Sequence, residues 1–189
     1  RCYRLVRRPQ RCFEVDAPTT QAEKREGLRD AGIDATHVTF VAVDFANDDW
    51  MTNLLSAGFD PLLPTLFLWE GVTYYLSDDV VDITMRHIAG CACARLVFDV
   101  YYSWYSLHPQ TVSLMAKGYG EPLASGVEAG HEGAPAARAG MDIIEVVDSY
   151  CANQLYVPHS ADGGLLCPAF GAFAMVVAGT RGVSIPFVT

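Results

Sequence analysis

The stretch that decides the fold is PTLFLWEGVTYYL, Pro64 to Leu76. Its first part is a run of apolar residues, which is typical of a buried β-strand. The run ends at a carboxylate, Glu70, which stands between Trp69 and Gly71. Because a buried carboxylate without a partner is costly, we expect Glu70 to lie at the end of the strand, outside the core, where it can face a ligand.

Two earlier strands are predicted to end in the same way. QRCFEVDAP reads as a strand that ends at Asp16, and THVTFVAVDF places Asp44 at its carboxyl end. Three later strands are predicted in ARLVFDVYY, MDIIEVVDSY and FGAFAMVVAG. The last of these is almost wholly apolar, as expected for a strand that is covered on both faces.

Helical patterns alternate with the first strands. TTQAEKREGLRDAG follows Pro18, which suits a first helical turn, and ends near Gly32. NDDWMTNLLSAGF is predicted to be capped by Asn47 or Asp48. SDDVVDITMRHIAG has the clearest helical spacing of apolar residues. Residues 103–140 are less regular, and GVEAGHEGAPAARAG within them is predicted to be a weak helix or a loop.

The alternation of strands and helices indicates an α/β fold: a mostly parallel sheet with helices on both faces and an antiparallel pair at the end. The chain has 189 residues, and neither an internal repeat nor a linker rich in proline or serine interrupts it. We therefore expect one domain over residues 1–189.

Composition excludes several classes of function. The net charge is −9, which disfavours binding to nucleic acid or to an anionic membrane surface. No apolar run reaches the roughly 18–20 residues that span a bilayer. None of the six cysteines forms a C-x-x-C motif, so we expect reduced thiols, no metal site and a cytoplasmic protein. The oligomeric state is left open.

The three carboxylates predict a nucleotide-like ligand. In an open α/β sheet, ligands bind outside the carboxyl ends of the strands, so Asp16, Asp44 and Glu70 are expected to line one crevice. Asp16 is placed to accept hydrogen bonds from ribose hydroxyls, with Glu14 as a second candidate. Asp44 could accept a hydrogen bond from an adenine amino group while Phe45 covers the ring, and Glu70 could bind an ammonium.

A simpler interpretation is that these acids cap the helices that follow the strands. For any one of these acids, capping is about as probable as ligand binding, but three acids at the same topological place favour a shared ligand. A nucleotide site of this kind usually has a glycine-rich turn before the ribose-binding acid. No such motif precedes Asp16, so we expect it to lie upstream of Arg1.

Four segments in order resemble a known family. CFEVDAPTTQAEKREGL, VAVDFANDDW, GFDPLLPTLFLWEGVTYYL and RLVFDVYY are similar to S-adenosylmethionine-dependent O-methyltransferases related to leucine carboxyl methyltransferase, including enzymes of polyketide O-methylation. The resemblance covers roughly residues 1–102 and is weaker afterwards. It implies a class I methyltransferase (Rossmann-like) fold, parallel except for the last strand, with S-adenosyl-L-methionine as cofactor.

The resemblance also implies roles for individual residues. Asp16 corresponds to the family's ribose carboxylate, Asp44 and Phe45 to its adenine-binding pair, and Glu70 to an acid that contacts the cofactor. Arg1 resembles the arginine that closes the family's first glycine motif. The strand and glycine loop of that motif are missing, so we expect an N-terminally truncated methyltransferase.

The expected reaction is methyl transfer to a carboxylate or hydroxyl of a small molecule or a peptide terminus. A hydroxyl acceptor benefits from a general base, and His108 in YYSWYSLHPQ is a weak candidate. Aromatic residues after the third and fourth strands could line the acceptor pocket. Two alternatives stay open: an NAD(P)-dependent oxidoreductase on a doubly wound sheet, and an inactive truncated remnant.

Overall fold

The computed structural model describes residues 10–45, 47–119 and 122–182. They form two compact units, which we call the N-terminal unit (the described residues up to Asp60) and the C-terminal unit (the described residues from Pro61 onwards). Each is described by itself below. The expectation of one domain over residues 1–189 stays a prediction.

The N-terminal unit is a β-α-β-α segment. Strand β1 (Cys12–Asp16) leads into helix α1 (Pro18–Asp30), strand β2 (Val38–Ala42) follows, and helix α2 (Trp50–Ser56) ends the unit. The two strands pair in parallel, with Cys12 opposite Val38 and Asp16 opposite Ala42. A parallel pair brings the carboxyl ends of both strands to the same edge of the sheet, so the acids that follow β1 and β2 lie on that edge.

Local sequence explains these boundaries. Pro18 occupies the first turn of α1, where its missing N–H costs nothing. Gly32, just past the end of α1, has a φ of +64°, a conformation that glycine adopts without strain. Helix α2 ends in the same way before Gly58, whose φ is +92°.

The C-terminal unit contains four strands: β3 (Thr65–Trp69), β4 (Ala94–Tyr101), β5 (Asp142–Asp148) and β6 (Phe173–Gly179). Their spatial order is β3-β4-β6-β5. Strands β3 and β4 are parallel, whereas β6 is antiparallel to both of its neighbours. The predicted antiparallel pair is therefore confirmed, and β6 is the strand that reverses direction.

The connections of the C-terminal unit are mostly helical. A 3₁₀ turn (Thr73–Tyr75) follows β3, and the helices are α3 (Asp78–Ala89), α4 (Ser103–Ser106), α5 (Pro109–Tyr119), α6 (Ala134–Arg138) and α7 (Ser149–Leu155). Helices α3 and α6 pack against each other, α3 against β4 and α6 against β5. The described residues of the region 103–140 thus form three helices. Helix α6 lies in the segment that was predicted to be a weak helix or a loop, and the other two were not predicted.

The core of the C-terminal unit lies on one face of its sheet. Leu96 and Phe98 of β4 and Val176 of β6 are fully buried, as are Met85 and Ile88 of α3. These residues alternate along each strand, as expected when one face is covered by helices. This packing explains why the spacing of apolar residues in α3 was the clearest helical pattern in the sequence.

The other face is less covered at β3. Leu66 and Leu68 have exposed fractions of 62% and 45%, whereas Trp69 is buried. The prediction that the PTLFLW strand is buried throughout is therefore wrong for the described residues. The physical reason is its position: β3 is an edge strand of the four-stranded sheet. In the part of the chain that the structure describes, no helix is long and apolar enough to cross a membrane.

Candidate functional site

Asp16 is the last residue of β1 and stands at the edge of the two-stranded sheet where the carboxyl ends of β1 and β2 meet. Its Oδ1 accepts a hydrogen bond of 2.8 Å from the N–H of Ala17, and its carbonyl accepts one of 2.9 Å from the N–H of Val43. Among the described residues, no donor is bonded to Oδ2. One oxygen therefore fixes the carboxylate, and the second can accept hydrogen bonds from a ligand.

Glu14 is two residues earlier and has a partner of its own. Its side chain is almost fully buried and forms an ion pair of 2.9 Å with Lys24 on α1. The Nε2 of Gln21 donates a hydrogen bond of 3.2 Å to the Glu14 carbonyl. The burial and the ion pair favour a structural role, so of the two predicted ribose acids Asp16 is the better placed.

Asp44 and Phe45 follow β2 after one intervening residue, Val43. The Asp44 side chain is exposed and accepts a hydrogen bond of 2.8 Å from the Nδ2 of Asn47. The Asp44 N–H donates one of 2.9 Å to the Oδ2 of Asp48. Phe45 is half-exposed, so its ring is open to a planar ligand. These contacts hold the turn after β2 on the same edge as Asp16.

The helix caps decide against the simpler interpretation of Asp16 and Asp44. Helix α1 begins after Ala17 and has no side-chain cap. Helix α2 is capped by Asp49, which accepts hydrogen bonds from the N–H groups of Met51 and Thr52. The prediction of Asn47 or Asp48 as that cap is wrong, because the helix begins at Trp50 and places Asp49 at the capping position.

Glu70 is half-buried and directly follows β3, as predicted. The next residue, Gly71, has a φ of +76°, which turns the chain sharply and favours glycine. The N–H of Gly71 donates to both oxygens of Asp99, at 2.9 and 3.0 Å. Asp99 on β4 is buried, so a carboxylate from the neighbouring strand fixes the backbone next to Glu70.

Sequence reasoning placed Asp99 in its strand but gave it no role. The signal was a single carboxylate within the apolar run ARLVFDVYY. A buried carboxylate needs a hydrogen-bond donor, and a tight turn after the neighbouring parallel strand supplies one. The backbone carbonyl of Asp99 in turn accepts a hydrogen bond of 2.5 Å from the Oγ1 of Thr73.

A cavity of about 330 Å³ begins at Thr73, three residues after Glu70. Its floor is the covered face of β4, and its walls are the 3₁₀ turn, the first turn of α3, the loop 125–128 and helix α6 with His131 before it. Loop 125–128 is fixed by the Tyr74 carbonyl, which accepts a hydrogen bond of 2.7 Å from Ala124 N–H. The Oγ of Ser125 donates one of 3.1 Å to the Thr73 carbonyl.

Two tyrosines form one wall of this cavity. The rings of Tyr74 and Tyr101 are stacked, with centroids 4.0 Å apart and an interplanar angle of 11°. Burial, followed by the negative charge of Asp99, raises the pKa of Tyr74 well above its usual value. Burial also raises the pKa of Tyr101, against a hydrogen bond with Tyr74 that lowers it. Both side chains are therefore neutral phenols near pH 7.

The histidines are distributed differently from the prediction. His108 is exposed, and its Nδ1 accepts a hydrogen bond of 3.3 Å from the N–H of Gln110 at the start of α5. It does not line the cavity, whereas His131 does. His131 could not be judged from the sequence, because it lies in the irregular segment 103–140. The catalytic role of His108 stays a prediction.

Two further expectations concern ligands. Arg1, predicted from the resemblance to lie near the cofactor, is outside the described residues. Among the residues that the structure does describe, no group of three or more His, Cys, Asp or Glu side chains could hold a metal ion.

Comparisons with known proteins agree with the sequence pattern. The family model for leucine carboxyl methyltransferase matches residues 1–89. A protein of Mycolicibacterium gilvum is 42% identical over 71 residues, which are 37% of this chain and 23% of that protein. A protein of Mycobacterium bovis is 38% identical over 90 residues, 46% of this chain and 30% of that protein. Both are named "Putative S-adenosyl-L-methionine-dependent methyltransferase".

Solved structures support the fold. A DUF574-family protein from Streptomyces avermitilis superposes with a TM-score of 0.58 and 17% identity, over 90% of this chain and 65% of that one. Magnesium protoporphyrin IX methyltransferase from Synechocystis, solved with bound S-adenosylhomocysteine, gives a TM-score of 0.52 and 12% identity, over 89% and 63%.

The aligned parts cover less than a third of the length of these two curated relatives. The predicted α/β class is confirmed by the structure and by its neighbours among solved proteins. The fold is that of class I S-adenosylmethionine-dependent methyltransferases. Residues 1–89 of this chain are similar to the leucine carboxyl methyltransferase family.

Proposed function

We propose that this chain binds S-adenosyl-L-methionine and is part of an O-methyltransferase. The observation that carries the proposal is the carboxylate of Asp16, which stands at the end of β1 with one oxygen held by Ala17 N–H and the other open to a ligand. A carboxylate in this place can accept hydrogen bonds from both hydroxyls of a ribose. The match of residues 1–89 to the leucine carboxyl methyltransferase family model supports the ribose of S-adenosyl-L-methionine as that ligand.

Asp44 and Phe45, near Asp16, are proposed to bind the adenine of the same ligand. Asp44 follows the neighbouring strand, about 4.8 Å away in the sheet direction, and would accept a hydrogen bond from the adenine amino group. Phe45 is half-exposed and would cover one face of the adenine ring. This arrangement fits an adenosine better than a free phosphate, because its charged groups are carboxylates, which repel anions.

Glu70 is proposed to bind the ammonium of the cofactor's methionine part by a charge-assisted hydrogen bond. Its backbone is fixed by the two hydrogen bonds from Gly71 N–H to Asp99, which reduces the entropy lost on binding. That Glu70 contacts the same molecule as Asp16 and Asp44 stays a prediction.

When bound, the cofactor supplies an electrophilic methyl group on a sulfonium. The protein's part is to hold the acceptor oxygen in line with that methyl group and to exclude water. The proposed acceptor is a carboxylate or hydroxyl of a small molecule or a peptide terminus. A hydroxyl acceptor would also need a residue to receive its proton.

A thermal-shift titration on the full chain tests this function. S-adenosylhomocysteine is expected to raise the melting temperature with increasing concentration, because a ligand that binds the folded state stabilises it. NAD⁺ serves as the matched adenosine-containing comparison. A shift with NAD⁺ and none with S-adenosylhomocysteine would replace the proposal with the oxidoreductase alternative. No shift with either would favour the inactive remnant.

A further inference from the structure

The cavity of about 330 Å³ in the C-terminal unit has the size of a small-molecule site. Its lining is mainly apolar, with Val81, Phe98, Val100 and Val127 among its residues. The stacked rings of Tyr74 and Tyr101 make one wall flat and aromatic. A flat apolar wall favours a planar aromatic ligand, which can stack on it or meet it edge to face.

The lining of the cavity carries more negative than positive charge. Asp78 and Glu128 line it and are exposed, so they lie towards solvent. Arg138 is the one lysine or arginine among the lining residues, all of which the structure describes. Its guanidinium is held by Asp82, with the Nη2 2.7 Å from Oδ1. The positive charge is thus paired before any ligand arrives, and an anionic ligand would face two carboxylates.

Most polar groups of the walls are already bonded within the protein. The hydroxyl of Ser125 donates to the Thr73 carbonyl, and Glu128 accepts a hydrogen bond from the hydroxyl of Ser103. His131 lines the cavity and is exposed. The imidazole has a nitrogen that can accept a hydrogen bond from a hydroxyl, which gives the cavity a polar group suited to a neutral ligand with one O–H.

We infer that this cavity binds the methyl acceptor, and that the acceptor is a neutral, hydroxyl-bearing aromatic small molecule and not a carboxylate or a peptide terminus. The inference rests on the proposed function and narrows its acceptor. A carboxylate acceptor, free or at a peptide terminus, would need an unpaired cation to offset the desolvation of its charge. The lining offers it Asp78 and Glu128 instead.

A matched pair of probes tests the chemistry. 2-Naphthol and 2-naphthoate share one ring system and differ in charge, and each is titrated by calorimetry into the full chain without cofactor. We expect 2-naphthol to bind about fivefold more tightly, from the repulsion between two carboxylates and the naphthoate. Equal or tighter binding of 2-naphthoate would overturn the inference.

Variants locate the probe. Ala134 on α6 lines the cavity, whereas Ala137 on the same short helix is exposed and does not. Ala134→Leu fills the cavity and should reduce 2-naphthol binding at least about tenfold by excluding the ring, while Ala137→Leu should leave it unchanged. If both variants bind like the unmodified chain, the cavity is not the site.

A variant that removes one charge, Glu128→Gln, tests the inference even if Ala134→Leu does not fold. Glu128→Gln should raise the affinity for 2-naphthoate, relative to that for 2-naphthol, about twofold to threefold. Glu145→Gln, an exposed position on β5, is the control. An unchanged relative affinity for 2-naphthoate in Glu128→Gln would count against the inference. The probe titrations contain no cofactor. If S-adenosylhomocysteine does not bind, the proposed function is overturned, but the measured affinities for the two probes still stand.

Discussion

The two units carry their candidate chemistry in different ways. In the N-terminal unit the candidate binding groups lie at or just after the ends of strands, so Asp16, Asp44 and Phe45 stand at one edge of a two-stranded sheet. In the C-terminal unit the cavity is lined by residues from several segments between Thr73 and Arg138. A site built on strand ends can be located from sequence, because the end of each predicted strand gives the position of one binding residue. A cavity formed by packed helices and loops cannot be located in this way.

The largest expected effect tests whether the C-terminal unit holds the better packed core. Phe98 is fully buried in β4, so Phe98→Ala should cost about 4 kcal/mol of unfolding free energy. Phe13 in β1 is half-buried, with its ring 5.8 Å from that of Phe59, so Phe13→Ala should cost about 1–2 kcal/mol. Urea denaturation followed by circular dichroism measures both. Equal losses would remove this difference between the units.

The next effect concerns the carboxylate that fixes the turn after β3. Asp99→Ala leaves the N–H of Gly71 without its acceptor and should cost about 2–3 kcal/mol. Asp99→Asn keeps one acceptor oxygen and should cost less. The exposed Asp142 on β5 provides the control Asp142→Ala. If Asp99→Ala is as stable as this control, the two hydrogen bonds do not stabilise the turn. Urea denaturation at pH 7 measures all three variants.

A smaller effect decides which acid caps α2 in the N-terminal unit. Asp49→Ala removes the hydrogen bonds to Met51 and Thr52 N–H and should cost about 1 kcal/mol. Asn47→Ala removes one exposed side-chain bond to Asp44 and should cost a few tenths of a kcal/mol. Thermal denaturation compares the two. The reverse order would restore the cap predicted from sequence.

The smallest effect is a pH dependence in the C-terminal unit. Partial burial raises the pKa of Glu132, but hydrogen bonds from the N–H groups of Gly130 and Glu132 and from the Tyr102 hydroxyl outweigh it, so the net pKa is lowered. Burial and, second to it, the hydrogen bond with Glu132 raise the pKa of Tyr102 to about 12. Because the folded pKa of Glu132 is the lower one, its stabilisation is present above the unfolded value of about 4.3.

That stabilisation should disappear as the pH falls through the folded pKa. The difference in unfolding free energy between the unmodified chain and Glu132→Gln is expected to be under about 1 kcal/mol at pH 7, because the group is partly exposed. It should shrink between pH 5 and pH 3 (about one unit either side of the reference value). A difference that grows over this range would contradict the assigned direction. Urea denaturation at each pH measures it.

Much of the fold could be predicted from sequence, because its strands are short apolar runs between turn residues. All six predicted strands are present, and Asp16 and Glu70 stand where their strands end. The exposure of Leu66 and Leu68 on β3 was not predicted, since an apolar run does not reveal that its strand lies at a sheet edge. The α2 cap was missed because consecutive aspartates offer equivalent caps in sequence.

The candidate site was predictable only in part, for a related reason. Asp16 and Asp44 are fixed by the strands that precede them, so their common edge follows from parallel pairing. The contact between Gly71 and Asp99 joins residues 28 positions apart, and His131 reaches the cavity through a loop in the irregular segment. Neither has a local pattern, because each depends on how β4 and α6 pack against other elements.

The central claim is that the acid at the end of β1 binds the cofactor's ribose. Calorimetric titration of S-adenosylhomocysteine into the full chain, Asp16→Asn and Asp30→Asn tests it most directly, with exposed Asp30 at the end of α1 as the matched control. The account predicts binding that weakens about 10- to 100-fold in Asp16→Asn, as for loss of a charged hydrogen-bond acceptor, and stays unchanged in Asp30→Asn. Equal affinity of all three proteins, or no binding to the unmodified chain, would contradict it.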